Sequence, residues 1–139
     1  MGARLTELLR KRLYDLYAAY AAGRIDEVLR EYDDNVTMTS YAPVDIFPYL
    51  GRKQGKTAVA AFEYLTYQPV FMVTEDADAA VIVLARLRQR TTSRTIQLFI
   101  ADFIRFDKGR IVELRQFMDS FDAVQQVLGR EILISKTPD

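Results

Sequence analysis

The sequence predicts an α+β fold in which N-terminal helices pack on one face of a curved, mainly antiparallel sheet. From Arg4 to Ala22, apolar residues recur at three- and four-residue spacing, as they do on a helix with one buried stripe. From Val70 to Asp119, the chain instead alternates long apolar segments with short polar turns. This order, with helices followed by a meander of strands, is typical of an α+β domain.

Composition narrows the chemistry that this domain can perform. The 139 residues suit a single domain, predicted at 1–129 with a C-terminal tail at 130–139. Nineteen basic residues balance nineteen acidic ones, so no overall charge favours nucleic acid or an anionic membrane. Cysteine and histidine are absent, which excludes thiol nucleophiles, Ser-His-Asp triads and the commonest zinc sites. We therefore expect no metal and no cofactor. We also expect a cytoplasmic protein without a membrane span.

The helical half of the chain has clear boundaries. Gly23 suits the left-handed residue that ends the first helix, and Asp26 is expected to cap a second helix that runs to Tyr32. Further elements are predicted as follows: a turn at Asp33-Asp34-Asn35, a short strand Val36–Ser40, a loop Tyr41–Gly55 and a third helix Lys56–Tyr67. The loop is unusually apolar, so we expect it to lie over an opening into the core.

The second half of the sequence predicts strands followed by a short final helix. The predicted elements are strands Val70–Thr74, Ala79–Arg90, Arg94–Phe106 and Arg110–Asp119, and a helix Phe121–Leu128 capped by Ser120 and ended by Gly129. The turn Asp107-Lys108-Gly109 closes the last hairpin, with Gly109 available for a positive φ angle.

Two aspartates in these strands are candidates for chemistry. Alternation places Asp102 on one strand face with Leu98, Ile100, Ile104 and Phe106. Burial there would raise its pKa and favour a neutral, hydrogen-bond-donating acid; alternatively, Asp102 pairs with an arginine or accepts backbone hydrogen bonds at a bulge. Asp119 ends the last strand, where it is either a pocket acid or the cap of the following helix.

Aromatic and basic residues offer further candidates. The tyrosines of the first helices either supply the polar points of an apolar pocket or belong to the core, and we select Tyr17 and Tyr41 as pocket residues. The other predicted pocket residues are Phe62, Ile100 and Phe117. Arg86, Arg88 and Arg90 indicate either an anion site or a solvated or dimer-facing rim.

Three segments resemble the NTF2-like superfamily, and within it the SnoaL-like proteins related to polyketide cyclases and ketosteroid isomerase. They are Ala22-Gly23-Arg24-Ile25-Asp26, Phe103–Ile111 and Phe117-Met118-Asp119. The resemblance implies a cone made by a bent sheet, plugged by helices around a pocket, and a homodimer formed through the outer sheet face. Members of the superfamily include isomerases, cyclases, hydrolases and proteins without catalysis, so the fold does not decide the function.

The resemblance also implies roles for individual residues. Asp102 matches the aspartate that ketosteroid isomerase keeps neutral in an apolar site to hold an oxyanion. The tyrosine of that enzyme's first helix falls on Leu16, and its base falls near Thr39 or Ser40, so its activity is disfavoured. Asp119 matches the acid/base aspartate of the polyketide cyclases. An epoxide hydrolase would need an Arg-x-Asp pair that Ile100-Ala101-Asp102 lacks.

The sequence therefore leads to two functional hypotheses. The first is a protein that binds a small apolar or carbonyl-containing ligand and performs isomerase- or cyclase-type acid/base chemistry with Asp119 and Asp102. The second is a non-catalytic ligand-binding or dimerisation module in which both acids are structural. The sequence leaves open whether the protein is an enzyme.

Overall fold

The computed structural model describes residues 2–41, 51–55, 62–90 and 92–129. The helices are α1 (Gly2–Ala22), α2 (Ile25–Arg30) and α3 (Ser120–Leu128). The strands are β1 (Tyr32–Tyr41), β2 (Gly51–Gln54), β3 (Phe62–Glu75), β4 (Asp78–Gln89), β5 (Thr95–Asp107) and β6 (Arg110–Met118). These elements confirm the predicted α+β class, with helices packed against a mostly antiparallel, curled sheet.

The strands form one sheet in the order β2-β1-β6-β5-β4-β3. All neighbours are antiparallel except β1 and β6, which run parallel. Burial alternates strictly along β4 and β5, so each strand has one buried, inner face and one exposed, outer face. Helix α1 packs against β3 and closes the inner side, where the buried apolar residues form a single core.

The third predicted helix, Lys56–Tyr67, is wrong from Phe62 onward because this segment is the start of β3. The pairing of β3 with β4 shifts between Tyr64 and Thr66 and again between Pro69 and Phe71. Each shift breaks the two-residue alternation, and the resulting three-residue spacing imitates a helix. Pro69 is tolerated in this strand because it lies at an irregularity of an edge strand.

Several other predicted boundaries are also wrong. The expected loop Tyr41–Gly55 begins inside β1 and contains β2; residues 42–50 lie outside the described part of the chain. The predicted turn Asp33-Asp34-Asn35 belongs to β1, whose pairing with β6 is irregular between Tyr32 and Thr37. Helix α2 begins after Arg24, so Asp26 lies in its first turn and does not cap it.

The last hairpin and α3 have the predicted turn chemistry. Lys108 and Gly109 have φ angles of 50° and 79°, which match a tight hairpin turn that requires positive φ at both positions. Gly23 and Gly129 end α1 and α3 with positive φ, as predicted. Asp119, however, caps α3 in place of the predicted Ser120.

Candidate functional site

Asp102 lies on the inner face of β5 and is only 2 % exposed. Its neighbours on this face are buried apolar residues, including the predicted pocket residue Ile100. The prediction of its face from strand alternation is thus confirmed. A carboxylate buried among such residues requires polar partners, because the loss of water is otherwise too costly.

Two side chains supply those partners. The Tyr17 hydroxyl, on α1, donates a hydrogen bond of 2.7 Å to Asp102 Oδ2. Gln116 Nε2, on β6, donates a hydrogen bond of 3.1 Å to Asp102 Oδ1. Neither partner is the arginine or the backbone donor that the sequence suggested as the structural alternative.

Gln116 is itself held by β1. The Ser40 hydroxyl donates a hydrogen bond of 2.8 Å to Gln116 Oε1, and Gln116 also interacts with the side chain of Tyr67 on β3. Ser40 and Gln116 are opposite each other in the parallel β1–β6 pair, and Gln116 is opposite Asp102 in the β5–β6 pair. The register of the sheet therefore brings Ser40, Gln116 and Asp102 into one row.

Five tyrosines surround this row on the inner side, and we call them the tyrosine cluster. They are Tyr17, Tyr20, Tyr32, Tyr64 and Tyr67. Their rings lie within 4.7 to 6.4 Å of one another where they are in contact, and the hydroxyls of Tyr20 and Tyr32 are 2.6 Å apart. Burial raises the pKa of every tyrosine in the cluster, so all five remain neutral hydrogen-bonding groups near pH 7.

The ionisation of Asp102 reflects two opposing effects. Burial raises its pKa from 3.8 to about 6, while the hydrogen bonds from Tyr17 and Gln116 lower it. The predicted upward direction is confirmed, but the carboxyl is mostly ionised at pH 7 and so is not a neutral acid there. An ionised carboxylate has about four lone-pair positions, and Tyr17 and Gln116 each occupy one on a different oxygen. Both oxygens of Asp102 therefore keep acceptor capacity beyond these two hydrogen bonds.

Asp119 lies in a different environment. Its side chain is exposed and accepts a hydrogen bond of 3.1 Å from the backbone nitrogen of Asp122 at the start of α3. This is the capping role that the sequence offered as the alternative to a pocket acid. Its role in catalysis stays a prediction, and the described contacts do not bring it together with Asp102.

The remaining predicted pocket residues are divided between the two faces of the sheet. Tyr17 contacts Asp102, whereas Tyr41 and Phe117 stack on each other on the outer face with ring centroids 4.3 Å apart. Phe117 is opposite Ala101, whose side chain points away from that of Asp102. Tyr41 and Phe117 therefore do not share a site with Asp102. Phe62 belongs to β3, but its side chain lies outside the described part of the structure.

The sequence interpretation missed Gln116, Ser40, Tyr64 and Tyr67 as members of this site. Gln116 was detectable, because it is a polar residue that alternates with Leu114 and Met118 on the inner face of β6. The two tyrosines were hidden by the erroneous helix. Leu16 was assigned to the tyrosine position of the first helix, but the adjacent Tyr17 supplies the hydroxyl.

No helix in the described residues is long and apolar enough to cross a membrane. Within the same ranges, no three acidic side chains are grouped closely enough to hold a metal ion. Arg86 and Arg88 are exposed on the outer face, as expected for the rim alternative, and Arg90 lies beside a crevice of about 300 Å³ near Tyr20 and Tyr64.

Comparisons with known proteins agree with this architecture. The family model of the SnoaL-like domain matches residues 13–114 of this chain. A structure from Rhodopseudomonas palustris, named as a candidate isomerase, is 32% identical, with a TM-score of 0.69 and coverage of 83% of this chain and 91% of its own. An NTF2-like protein from Burkholderia xenovorans is 20% identical, with a TM-score of 0.68 and coverage of 87% and 96%.

One further structural match has a named activity. It is an epoxide hydrolase from Mycobacterium tuberculosis that is 15% identical, with a TM-score of 0.67 and coverage of 86% of this chain and 88% of its own. At this level of identity the likeness shows the fold and not the activity. A comparison with curated proteins gave no match.

The cap geometry of Asp119 leads to a direct test. We expect Asp119→Ala to lower the free energy of unfolding by about 1 kcal/mol, because the Asp122 backbone nitrogen loses its acceptor. Asp119→Asn should stay within a few tenths of a kcal/mol of the wild type, since asparagine caps helices equally well. Urea denaturation measures both changes. Equal losses in the two variants would show that the carboxylate charge, and not capping, is what matters.

Burial of Asp102 predicts how stability depends on pH. The native protein binds a proton more tightly than the unfolded chain, so the wild type loses stability as pH rises from about 4 to about 6. A shift of about two pKa units corresponds to about 3 kcal/mol. Relative to the wild type, Asp102→Asn should therefore gain up to about 3 kcal/mol between pH 4 and pH 7.5 in urea titrations. The exposed variant Asp107→Asn is the control; a similar gain there would refute the assignment to Asp102.

Proposed function

The chain belongs to the SnoaL-like domain family, and on this basis we propose that it binds a small apolar carbonyl compound and transfers a proton on it, with Asp102 as the base. The observation that carries this proposal is the buried Asp102 carboxylate held by Tyr17 and Gln116. The isomerase name of the Rhodopseudomonas palustris structure supports it, because isomerisation of a carbonyl compound is proton-transfer chemistry.

The acid/base properties of the site suit such a reaction. A general base works best when its pKa lies near the pH at which the protein operates, and burial moves the pKa of Asp102 to about 6. The hydroxyl hydrogen of Tyr17 is already donated to Asp102, but Tyr67 and the Tyr20–Tyr32 pair also stay protonated and can donate hydrogen bonds to the oxygen on which negative charge develops. Base and donors thus lie on the same inner face of the sheet.

In this proposal Asp119 has a smaller role than the sequence predicted. It is exposed, and its carboxylate already serves the first turn of α3. We therefore assign the acid/base step to Asp102 and retain Asp119 as the alternative acid. Burial raises the pKa of Asp102 to about 6, so a rate that follows ionisation at this pH would identify Asp102 as the base.

Exchange of the α-protons of a hydrophobic ketone tests this function without knowledge of the natural ligand. We expect the protein to exchange protons of 2-tetralone in D₂O faster than the background, with a rate that rises through about pH 6 and then levels off as Asp102 ionises. Asp102→Asn should lower the enzymatic rate by about 100-fold or more. Exchange is followed by proton NMR.

Asp119→Asn is the matched control, since it also replaces a carboxylate by an amide but preserves the cap. Loss of exchange in Asp119→Asn alone would transfer the base role to that residue. Exchange by wild type that never exceeds that of Asp102→Asn would favour the second candidate function, a non-catalytic ligand-binding or dimerisation module. The specific observation for that module is that Asp102, Tyr17 and Gln116 satisfy one another in a closed core.

We also propose that the protein is a homodimer formed through the outer face of the sheet. Large apolar side chains on this face are 38 to 60 % exposed, and monomeric proteins seldom expose so many together. They are Tyr41, Phe71, Val73, Ile82, Phe99, Phe103 and Phe117.

The pairing register makes these side chains one continuous patch. Phe117, Ala101, Ile82 and Phe71 are successive partners across β6, β5, β4 and β3, and Tyr41 extends the row onto β1. A groove of about 710 Å³ crosses the patch beside Phe103, and its rim carries the ion pairs Arg105–Asp78 and Arg115–Glu113. An apolar centre with a charged rim is the composition of a protein–protein interface.

A charge placed in the patch should separate the subunits. We expect light scattering to give about 32 kDa, twice the 16.0 kDa of the chain, and Phe103→Glu to give the monomer mass because it buries a charge in the interface. Leu8→Glu is the control, since Leu8 is equally exposed but lies on α1. A wild-type mass of about 16 kDa at micromolar concentration, or dissociation by Leu8→Glu, would refute this interface.

A further inference from the structure

We propose that Gln116 is a positioning residue that holds Asp102 in its ionised form, and that Ser40 fixes the orientation of the Gln116 amide for this task. The inference deepens the proposed function, on which its catalytic meaning rests. The geometry itself is independent of any substrate, because the row Ser40–Gln116–Asp102 is formed by side chains of β1, β6 and β5.

The first step concerns the two ends of the glutamine amide. Its nitrogen can only donate hydrogen bonds and its oxygen can only accept them. In the structure, the oxygen faces the Ser40 hydroxyl at 2.8 Å and the nitrogen faces Asp102 Oδ1 at 3.1 Å. Either form of the carboxyl can accept at Oδ1, but the hydrogen bond to a charged carboxylate is the stronger one, so this orientation of the amide favours the ionised form of Asp102.

The second step concerns the opposite orientation. If the amide turned over, its oxygen would face Asp102 Oδ1, which is favourable only when the carboxyl carries a proton to donate. Its nitrogen would then face the Ser40 hydroxyl, which would have to give up the hydrogen bond that it now donates. Ser40 is buried, so a hydroxyl hydrogen without an acceptor there would be costly. Ser40 therefore favours the orientation in which the Gln116 nitrogen donates to the carboxylate of Asp102.

The third step is that the other groups facing Asp102 do not make this choice. The groups that act on it are the hydroxyl of Tyr17 on α1 and those of Tyr32, Tyr64 and Tyr67 on β1 and β3. A tyrosine hydroxyl both donates and accepts, so it tolerates either form of the carboxyl. The Gln116 nitrogen that faces Asp102 can only donate, so this amide favours the ionised form.

This arrangement has a consequence for the chemistry of the site. Removal of the amide donor should destabilise the ionised carboxyl by the strength of a hydrogen bond to a charged group, which moves the pKa of Asp102 upward. A larger fraction of Asp102 would then be neutral at pH 7 and able to act as a hydrogen-bond donor. Gln116 thus determines which of two roles, base or neutral donor, the same aspartate performs.

NMR titration of the aspartate side-chain carboxyl carbons tests the proposal in the ligand-free protein, with the Asp102 signal assigned by its loss in Asp102→Asn. Gln116→Met keeps the length of the side chain but removes the amide, and should raise the pKa of Asp102 by at least one unit from about 6. Ser40→Ala should raise it by a smaller amount, and Ser40→Thr, which keeps a hydroxyl, should restore the wild-type value.

Gln97→Met is the matched control, because Gln97 is exposed on the outer face of β5. A merely structural role would lower stability in Gln116→Met without moving the titration, and an unchanged Asp102 pKa in both Gln116→Met and Ser40→Ala would overturn the proposal. If Gln116→Met does not fold, the two Ser40 variants alone test the proposal. Equal pKa values of Asp102 in Ser40→Ala and Ser40→Thr would then overturn the role of Ser40. Because no substrate is present, these outcomes are separate from failure of the ketone-exchange test.

Discussion

The structure depends on the burial of one carboxylate in the middle of an apolar strand. Asp102 is 2 % exposed, and the cost of removing it from water must be offset by hydrogen bonds from elements distant in sequence. Tyr17 lies 85 residues before it, and Gln116 lies 14 residues after it. A rotation of α1 by one residue would turn the Tyr17 hydroxyl away by about 100° and leave the charge poorly satisfied. The carboxylate therefore fixes how α1 sits against the sheet.

Side chains alternate along β5, so one face of this strand carries the candidate site and the other carries the apolar patch. Even-numbered residues from Ile96 to Phe106 point inward to the core and the site, while Phe99 and Phe103 point outward to the apolar patch. The backbone of β5 pairs with β4 and β6 on both sides, so its position depends little on any single side chain. Substitutions on the outer face can therefore change association while the hydrogen bonds of Asp102 remain in place.

The sequence predicted those parts of the fold in which local pattern and tertiary structure agree. Helix α1, strands β4 to β6 and helix α3 lie close to their predicted bounds, and along β4 and β5 burial follows the two-residue period without interruption. The predicted strand Val70–Thr74 lies within β3, whereas the first part of β3 is predicted as a helix because the pairing irregularity between Tyr64 and Thr66 breaks that period. A hydrophobic pattern reports which residues are buried, but it does not report where a bulge adds a residue.

For the candidate site, the sequence predicted the position of Asp102 and not its partners. The face of Asp102 follows from the strand itself, whereas the contact with Tyr17 depends on how α1 lies over β5. The resemblance to ketosteroid isomerase placed the helical tyrosine at Leu16, one residue away, and on a helix this is a different direction. A single polar residue in a strand usually faces solvent; alternation with Leu114 and Met118 indicates that Gln116 faces inward, and the pairing register places it opposite Asp102.

Burial is the largest effect on the pKa of Asp102, and its hydrogen-bond partners limit how far that pKa rises. Burial alone would favour the neutral acid, as in the isomerase whose aspartate the sequence resembles. Here, hydrogen bonds from Tyr17 and Gln116 favour the ionised form, and the result is a pKa of about 6. Such a group changes its charge close to neutral pH, where loss or gain of one hydrogen bond decides which form prevails. An identical aspartate in an identical strand can therefore serve as a base or as a donor, and the neighbouring strand makes that choice.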